Sequence, residues 1–250
     1  MTWRDHELCG PVETFPATFW GPERMDAEAW RELAGALETE AEISALTSAL
    51  AGMSDVVDVG GGTGLLTRAI AARSAVTVIE PAAEQRAHVP RGITAIAGRA
   101  EQLPLGDREV DGAMATWVLQ YCEDPKRAVT ELARVARRRV AIVQAAPGND
   151  LVDVYNIEAR VAGQPMAHHG FLLALAAEVL EAAGFVVLLE RVAIAVRGEP
   201  AALADTLARL HFARHPMRDA MVAATQPVIA ARLAERGWLA DDGVVLRAMR

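Results

Sequence analysis

Hydrophobic positions change their period at residue 55 of this 250-residue chain. Before it, Trp30, Leu33, Leu37, Ile43 and Leu46 recur at helical spacing. With Asp26 as N-cap, they predict one amphipathic helix over residues 26–50. From Asp55 onward, short β-branched runs alternate with helical stretches. Strands are predicted at 55–59, 75–80, 93–97, 110–118, 139–146, 185–196 and 242–250. Helices are predicted at 65–73, 82–89, 124–138, 172–184, 201–214 and 217–236, with a loop at 147–170.

Strands alternating with helices imply an α/β fold, a mostly parallel sheet covered on both faces. In such sheets a ligand sits beyond the carboxyl ends of the strands. The residues to read for chemistry are therefore 60–64, 80–81, 98–101 and 116–121.

The N-terminal residues are irregular, punctuated by Pro11, Pro16, Gly21 and Pro22. Phe15, Phe19, Trp20 and Trp30 read either as a lid over substrate or as a staple between the first helix and the sheet. The first 50 residues carry ten acids and three bases; the other 200 carry 23 and 22. The overall charge of −8 speaks against a nucleic-acid partner held through its phosphates. One Lys against 24 Arg, in an Ala-rich chain, suggests a GC-rich bacterial genome. Cys9 and Cys122 make no disulfide framework. The N-terminus lacks the apolar core of a signal peptide, and no apolar run reaches membrane-spanning length. A cytoplasmic protein with no membrane partner is expected. A homodimer is left open.

Gly60, Gly61, Gly62 and Gly64 join the first β-run to a helix expected to begin near Thr63. Without side chains the chain turns tightly and a ligand approaches its backbone. Asp58 lies two residues before the first glycine, placed to brace the loop or accept from a ligand amine. The dinucleotide pattern GxGxxG is not met, because Leu65 stands at its third glycine. Glu80 ends the second strand, where a carboxylate suits the two hydroxyls of a ribose.

These residues resemble the class I S-adenosylmethionine-dependent methyltransferases. VVDVGGGTG (56–64) is similar to their first motif, and VIEP (78–81) to their second-strand acid. GRAEQLPLGDREVDGAMATWVLQY (98–121) is similar to their adenine-side segment and fourth strand. EDPKRAVTELARV (123–135) stands where their next helix does. The match is close over residues 50–146 and holds beyond that only in strand–helix order. It implies a Rossmann-like, doubly wound sheet of seven strands with an N-terminal helical extension. It also implies S-adenosylmethionine as cofactor and a small-molecule substrate.

By the same resemblance, Asp58, Gly60, Gly61, Gly62 and Gly64 line the methionine side of the cofactor. Glu80 holds the ribose, with Pro81 beside the adenine. Arg99, Ala100 and Glu101 border the adenine. Thr116 and Trp117 stand next to the sulfonium, with Tyr121 as an aromatic wall. The family often has Asp at the position of Arg99, accepting from the adenine amine. Arginine accepts nothing, so a backbone carbonyl or stacking is expected to replace that contact. The division implied is an N-terminal lid and helix over 1–50 and a methyltransferase domain over 51–250. Within the latter, 51–146 is the cofactor half and 147–240 the substrate side.

His168 and His169 follow the fifth strand and are the candidate catalytic bases. They also read as a surface pair at a helix start. His211 and His215 are expected on one helix face, and Asn149-Asp150 in a loop turn. No third metal ligand accompanies them, so no metal is expected. The leading function is methyl transfer to O, N or C of a small metabolite, in secondary metabolism. A cofactor-binding protein without turnover is kept open by Arg99; Leu65 opposes a nicotinamide-dependent oxidoreductase.

Overall fold

The computed structural model describes residues 26–164 and 171–250. In chain order they form α1 (Ala27–Ala36), β1 (Leu37–Glu38), α2 (Glu40–Ala49), β2 (Asp55–Val59), α3 (Thr67–Ala71), β3 (Ala75–Ile79) and α4 (Ala83–Arg86). Then come β4 (Thr94–Ile96), β5 (Val110–Thr116), α5 (Pro125–Val135), β6 (Ala136–Ala145), α6 (Asp150–Val161) and α7 (Phe171–Ala182). The chain finishes with β7 (Val186–Val192), β8 (Ala195–Val196), α8 (Pro200–Phe212), α9 (Arg218–Arg236), β9 (Leu239–Ala240) and β10 (Gly243–Met249).

Seven strands form one sheet in the order β4-β3-β2-β5-β6-β10-β7. The first five pair in parallel, and β10 lies antiparallel between β6 and β7. This is the doubly wound α/β architecture expected from the alternating pattern. Successive residues of β5 feed opposite faces, as strand geometry demands. Ala113 and Ala115 enter the core beneath α5 and α7 with Leu132, Leu172 and Leu180. Met114 enters the other core with Leu46, Ile70 and Val245. A third apolar cluster joins α1, α6, α8 and α9 through Leu33, Val154, Leu207 and Ile229.

Three expectations are corrected. The single helix over 26–50 is two, because Leu37 and Glu38 turn extended and pair with Val196 and Ala195. The small sheet β1-β8-β9 also shortens the long strand expected at 185–196. Residues 150–161 are the helix α6, not loop or turn: the Asn149 side chain caps it by accepting from the Val152 N–H. Among the described residues no helix is long and apolar enough to cross a membrane.

Candidate active site

From β2 the chain winds outward through β3 to β4, returns to β5 and continues to β6 on the other side. The loops leaving β2 and β5 therefore part at their carboxyl ends, and a crevice opens between them. A cleft of about 1330 Å³, open solvent included, occupies it. The loops after β2 to β5 contribute Gly60, Gly61, Gly62, Glu80, Pro81, Arg99, Ala100, Glu101, Trp117 and Tyr121, with Asp58 and Thr116 from the strands themselves. Trp30 of α1, Glu42 of α2, Tyr155 of α6 and Asp241 after β9 complete the wall. Every cofactor-side residue singled out from the sequence lies in this lining except Gly64. His168 and His169 lie outside the described residues, as do Phe15, Phe19 and Trp20.

The glycines have separate reasons. Gly60 has φ +70°, and a Cβ there would come within 2.5 Å of Val118 Cγ2. Gly62 has φ +54° with open space where a side chain would be. At Gly64, outside the cavity lining, a Cβ would meet Pro90 at 2.7 Å, so that glycine answers to packing. The following helix begins at Thr67 rather than near Thr63. The bend itself, not a helix end, faces the cavity.

Two carboxylates brace that bend. Glu80 Oε2 accepts from the Gly62 N–H at 3.1 Å and Oε1 from the Ala82 N–H at 2.9 Å. Asp58 is 1% exposed; its Oδ2 accepts from the Thr67 hydroxyl at 2.5 Å, while Oδ1 has no hydrogen-bond partner among the described residues. Burial pushes the Asp58 carboxyl up to about 7; the Thr67 hydroxyl pulls it partly back, and the Glu80 charge adds to the rise.

Arg99 pairs with Glu101 at 3.7 Å and Glu123 at 3.3 Å. Gln85, which sequence reading passed over, is buried in the lining nearby. Neither its amide oxygen nor its nitrogen has a partner among the described residues. Its signal was its place in α4, one turn after Pro81.

At the end of β5, Trp117 has φ +59°, a conformation that costs a non-glycine residue about 1–2 kcal/mol. Its backbone N–H donates to the Val143 carbonyl, and its indole Nε1 donates to Glu42 Oε1 at 2.7 Å. Burial pushes the Glu42 carboxyl up to about 7 against the lowering effect of that indole. Asp241 accepts from Asn149 Nδ2. Burial pushes it up to about 8, with Asn149 opposing and the charges of Glu42 and Asp242 adding. Tyr121 Oη lies 2.7 Å from His211 Nε2, and burial raises the Tyr121 and Tyr155 phenols, so both stay protonated. His211 is thus buried against Tyr121. His215 lies beyond the end of α8, its Nδ1 accepting from the Met217 N–H, so the two histidines do not share a helix face. Among the described residues no three His, Cys, Asp or Glu side chains converge as a metal set.

Residues 57–143 match the family described as a methyltransferase domain. Over that stretch the chain is similar to the class I S-adenosylmethionine-dependent methyltransferases.

Over 90 residues it is 34% identical to 2-methyl-6-phytyl-1,4-hydroquinone methyltransferase 2, a chloroplastic protein of Oryza sativa subsp. japonica. That match covers 33% of this chain and spans 26% of the relative's length. Among solved structures, YcgJ of Bacillus subtilis superposes with a TM-score of 0.62 at 14% identity, over 83% of this chain and 97% of its own. Phospholethanolamine N-methyltransferase 2 of Haemonchus contortus, solved with phosphomonomethylethanolamine and S-adenosylhomocysteine, superposes with a TM-score of 0.58 at 11% identity. It covers 90% of this chain and 56% of its own. At such identities the methyltransferase likeness of the structures is one of fold. S-adenosylmethionine is the cofactor of the family.

Proposed function

We propose that this protein transfers the methyl group of S-adenosylmethionine to an oxygen, nitrogen or carbon nucleophile of a small metabolite, as a cytoplasmic enzyme of secondary metabolism. One observation carries the reading: a side-chain-free bend and the Glu80 carboxylate meet at the switch point of the sheet, on a cavity extending to acids and aromatics from four other elements.

The residues present fit the cofactor. Glu80 stands in the lining at the end of β3, where a carboxylate suits two ribose hydroxyls, and the orphaned Asp58 Oδ1 is an acceptor for an amino group. Gln85, with one donor group and one acceptor unmatched, serves the purine edge where Arg99 offers no acceptor. Gly60 and Gly62 let the ligand reach the backbone. When bound, the cofactor supplies a methyl group already activated by a positively charged sulfur.

The chain's remaining work is alignment and exclusion of water. Thr116 and Trp117 close the cavity at the end of β5, while Trp30, Tyr121 and Tyr155 wall off its far side. His168 or His169 serves as base where an oxygen or carbon nucleophile carries a proton. In this reading residues 51–146 are the cofactor half, 147–240 shape the acceptor, and residues 1–50 form the lid and first helix.

Calorimetry with S-adenosylhomocysteine and transfer of labelled methyl to metabolite extracts test the proposal. Tight binding with a labelled product is expected. Binding without transfer to any acceptor favours a protein that senses the cofactor, and no binding overturns the reading.

A further inference from the structure

Resting on the methyltransferase reading, we propose that the acceptor is a basic amine whose ammonium group is held between Glu42 and Asp241 against the rings of Trp30, Trp117 and Tyr155. Glu42 and Asp241 come from α2 and from the turn between β9 and β10, nearly 200 residues apart, yet both line the one cavity, close enough for their charges to interact. Among the described lining residues the only cation is Arg99, which Glu101 and Glu123 engage. No protein cation in that lining balances the two acids.

A third acceptor joins them. Gln120 is 1% exposed and lines the cavity; its Nε2 donates to the Trp117 carbonyl at 2.8 Å, but its Oε1 has no hydrogen-bond partner among the described residues. A buried acceptor left open costs free energy until a donor meets it. The wall therefore presents acceptors and negative charge, framed by aromatic faces that themselves attract cations. An ammonium group brings three donors and one positive charge. A carboxylate or phosphate in that place would face two acids with no counter-cation among the described lining residues.

The chemistry closes as well. An ammonium nitrogen has no lone pair and first gives a proton to one of the two carboxylates. Burial raises both acids toward the range of an amine, which narrows the gap the proton must cross. The freed lone pair forms the new nitrogen–carbon bond as the sulfur–methyl bond breaks, and that bond's electron pair stays on sulfur.

The test uses the whole protein saturated with S-adenosylhomocysteine and calorimetry of matched probes. Each set shares one apolar body: 2-phenylethylamine, 2-phenylethanol and phenylacetate; tryptamine, indole-3-ethanol and indole-3-acetate; hexylamine, hexanol and hexanoate. In at least one set the amine is expected to bind tenfold or more tighter than its alcohol, with the acid undetected, a difference of about 1.4 kcal/mol or more. Glu42→Gln and Asp241→Asn should each weaken that amine about tenfold while S-adenosylhomocysteine affinity stays within about twofold. Alcohols binding as well as amines, or no amine binding at all, overturns the proposal. So does loss of S-adenosylhomocysteine affinity in either variant, since the acids would then serve the cofactor. Failure of the wild-type protein to bind S-adenosylhomocysteine instead removes the methyltransferase reading beneath it.

Discussion

The indole of Trp117 donates to the carboxyl of Glu42 across 2.7 Å, tying the end of β5 to the helix that precedes the sheet. The bond helps hold a tryptophan whose backbone is left-handed, and it holds a buried acid at the cavity wall. Trp117→Phe keeps most of the ring and removes the donor. Glu42 then rises further, since the indole is what opposes its burial. In the unfolded chain this acid ionises near 4.5, so the added destabilisation grows as pH climbs past the folded value. Urea unfolding at pH 6 and 8.5 should show a loss of about 1–2 kcal/mol, larger at the higher pH.

Glu80 acts twice, on the bend through Gly62 and, in the proposed reading, on the ligand through its carboxylate. Glu80→Ala is expected to weaken S-adenosylhomocysteine by about 2–3 kcal/mol in calorimetry, as charge-assisted bonds disappear. Unchanged affinity would place the ribose elsewhere.

Gly60→Val strikes the same bend sterically. Its Cβ would stand 2.5 Å from Val118 Cγ2, at a φ of +70° that β-branched residues avoid. Cofactor binding should be abolished, with thermal stability lowered by several degrees; normal binding would mean the bend does not face the ligand. Gly64→Ala, outside the cavity lining, is expected to reduce stability through its clash with Pro90 more than it reduces affinity.

The cofactor side of this cavity was legible because it is local. DVVDVGGGTG and VIEP are short, and the spacing of strand, bend and acid is set within one βαβ unit. The acceptor side was not. Glu42 and Asp241 line one cavity only because β10 inserts between β6 and β7 and brings the turn before it over the carboxyl edge. No periodicity in either segment announces it. The break at Leu37 is hidden for the same reason: its partner, Val196, lies far along the chain. The helix after Asn149 was missed despite its cap, because Pro147 and Gly148 read as turn and Val152, Val154 and Ile157 as poor helix formers. Tertiary packing of Leu151, Val154 and Tyr155 overrides that preference.

Glu158, in the same helix, is a buried acid away from the cavity lining. It is fully buried, and neither carboxyl oxygen has a hydrogen-bond partner among the described residues. Burial pushes it up to about 8 from 4.5. A carboxyl that ionises later in the folded state than in the unfolded one leaves stability intact below pH 4.5 and erodes it as pH rises toward 8. Glu158→Gln removes that titration while preserving shape. At about 1.4 kcal/mol per unit, the variant should match the wild type near pH 4.5 and gain on it by about 3–5 kcal/mol at pH 8.5. Parallel thermal melts across that range decide the matter: a difference that does not change with pH would mean the folded protein does not hold Glu158 protonated.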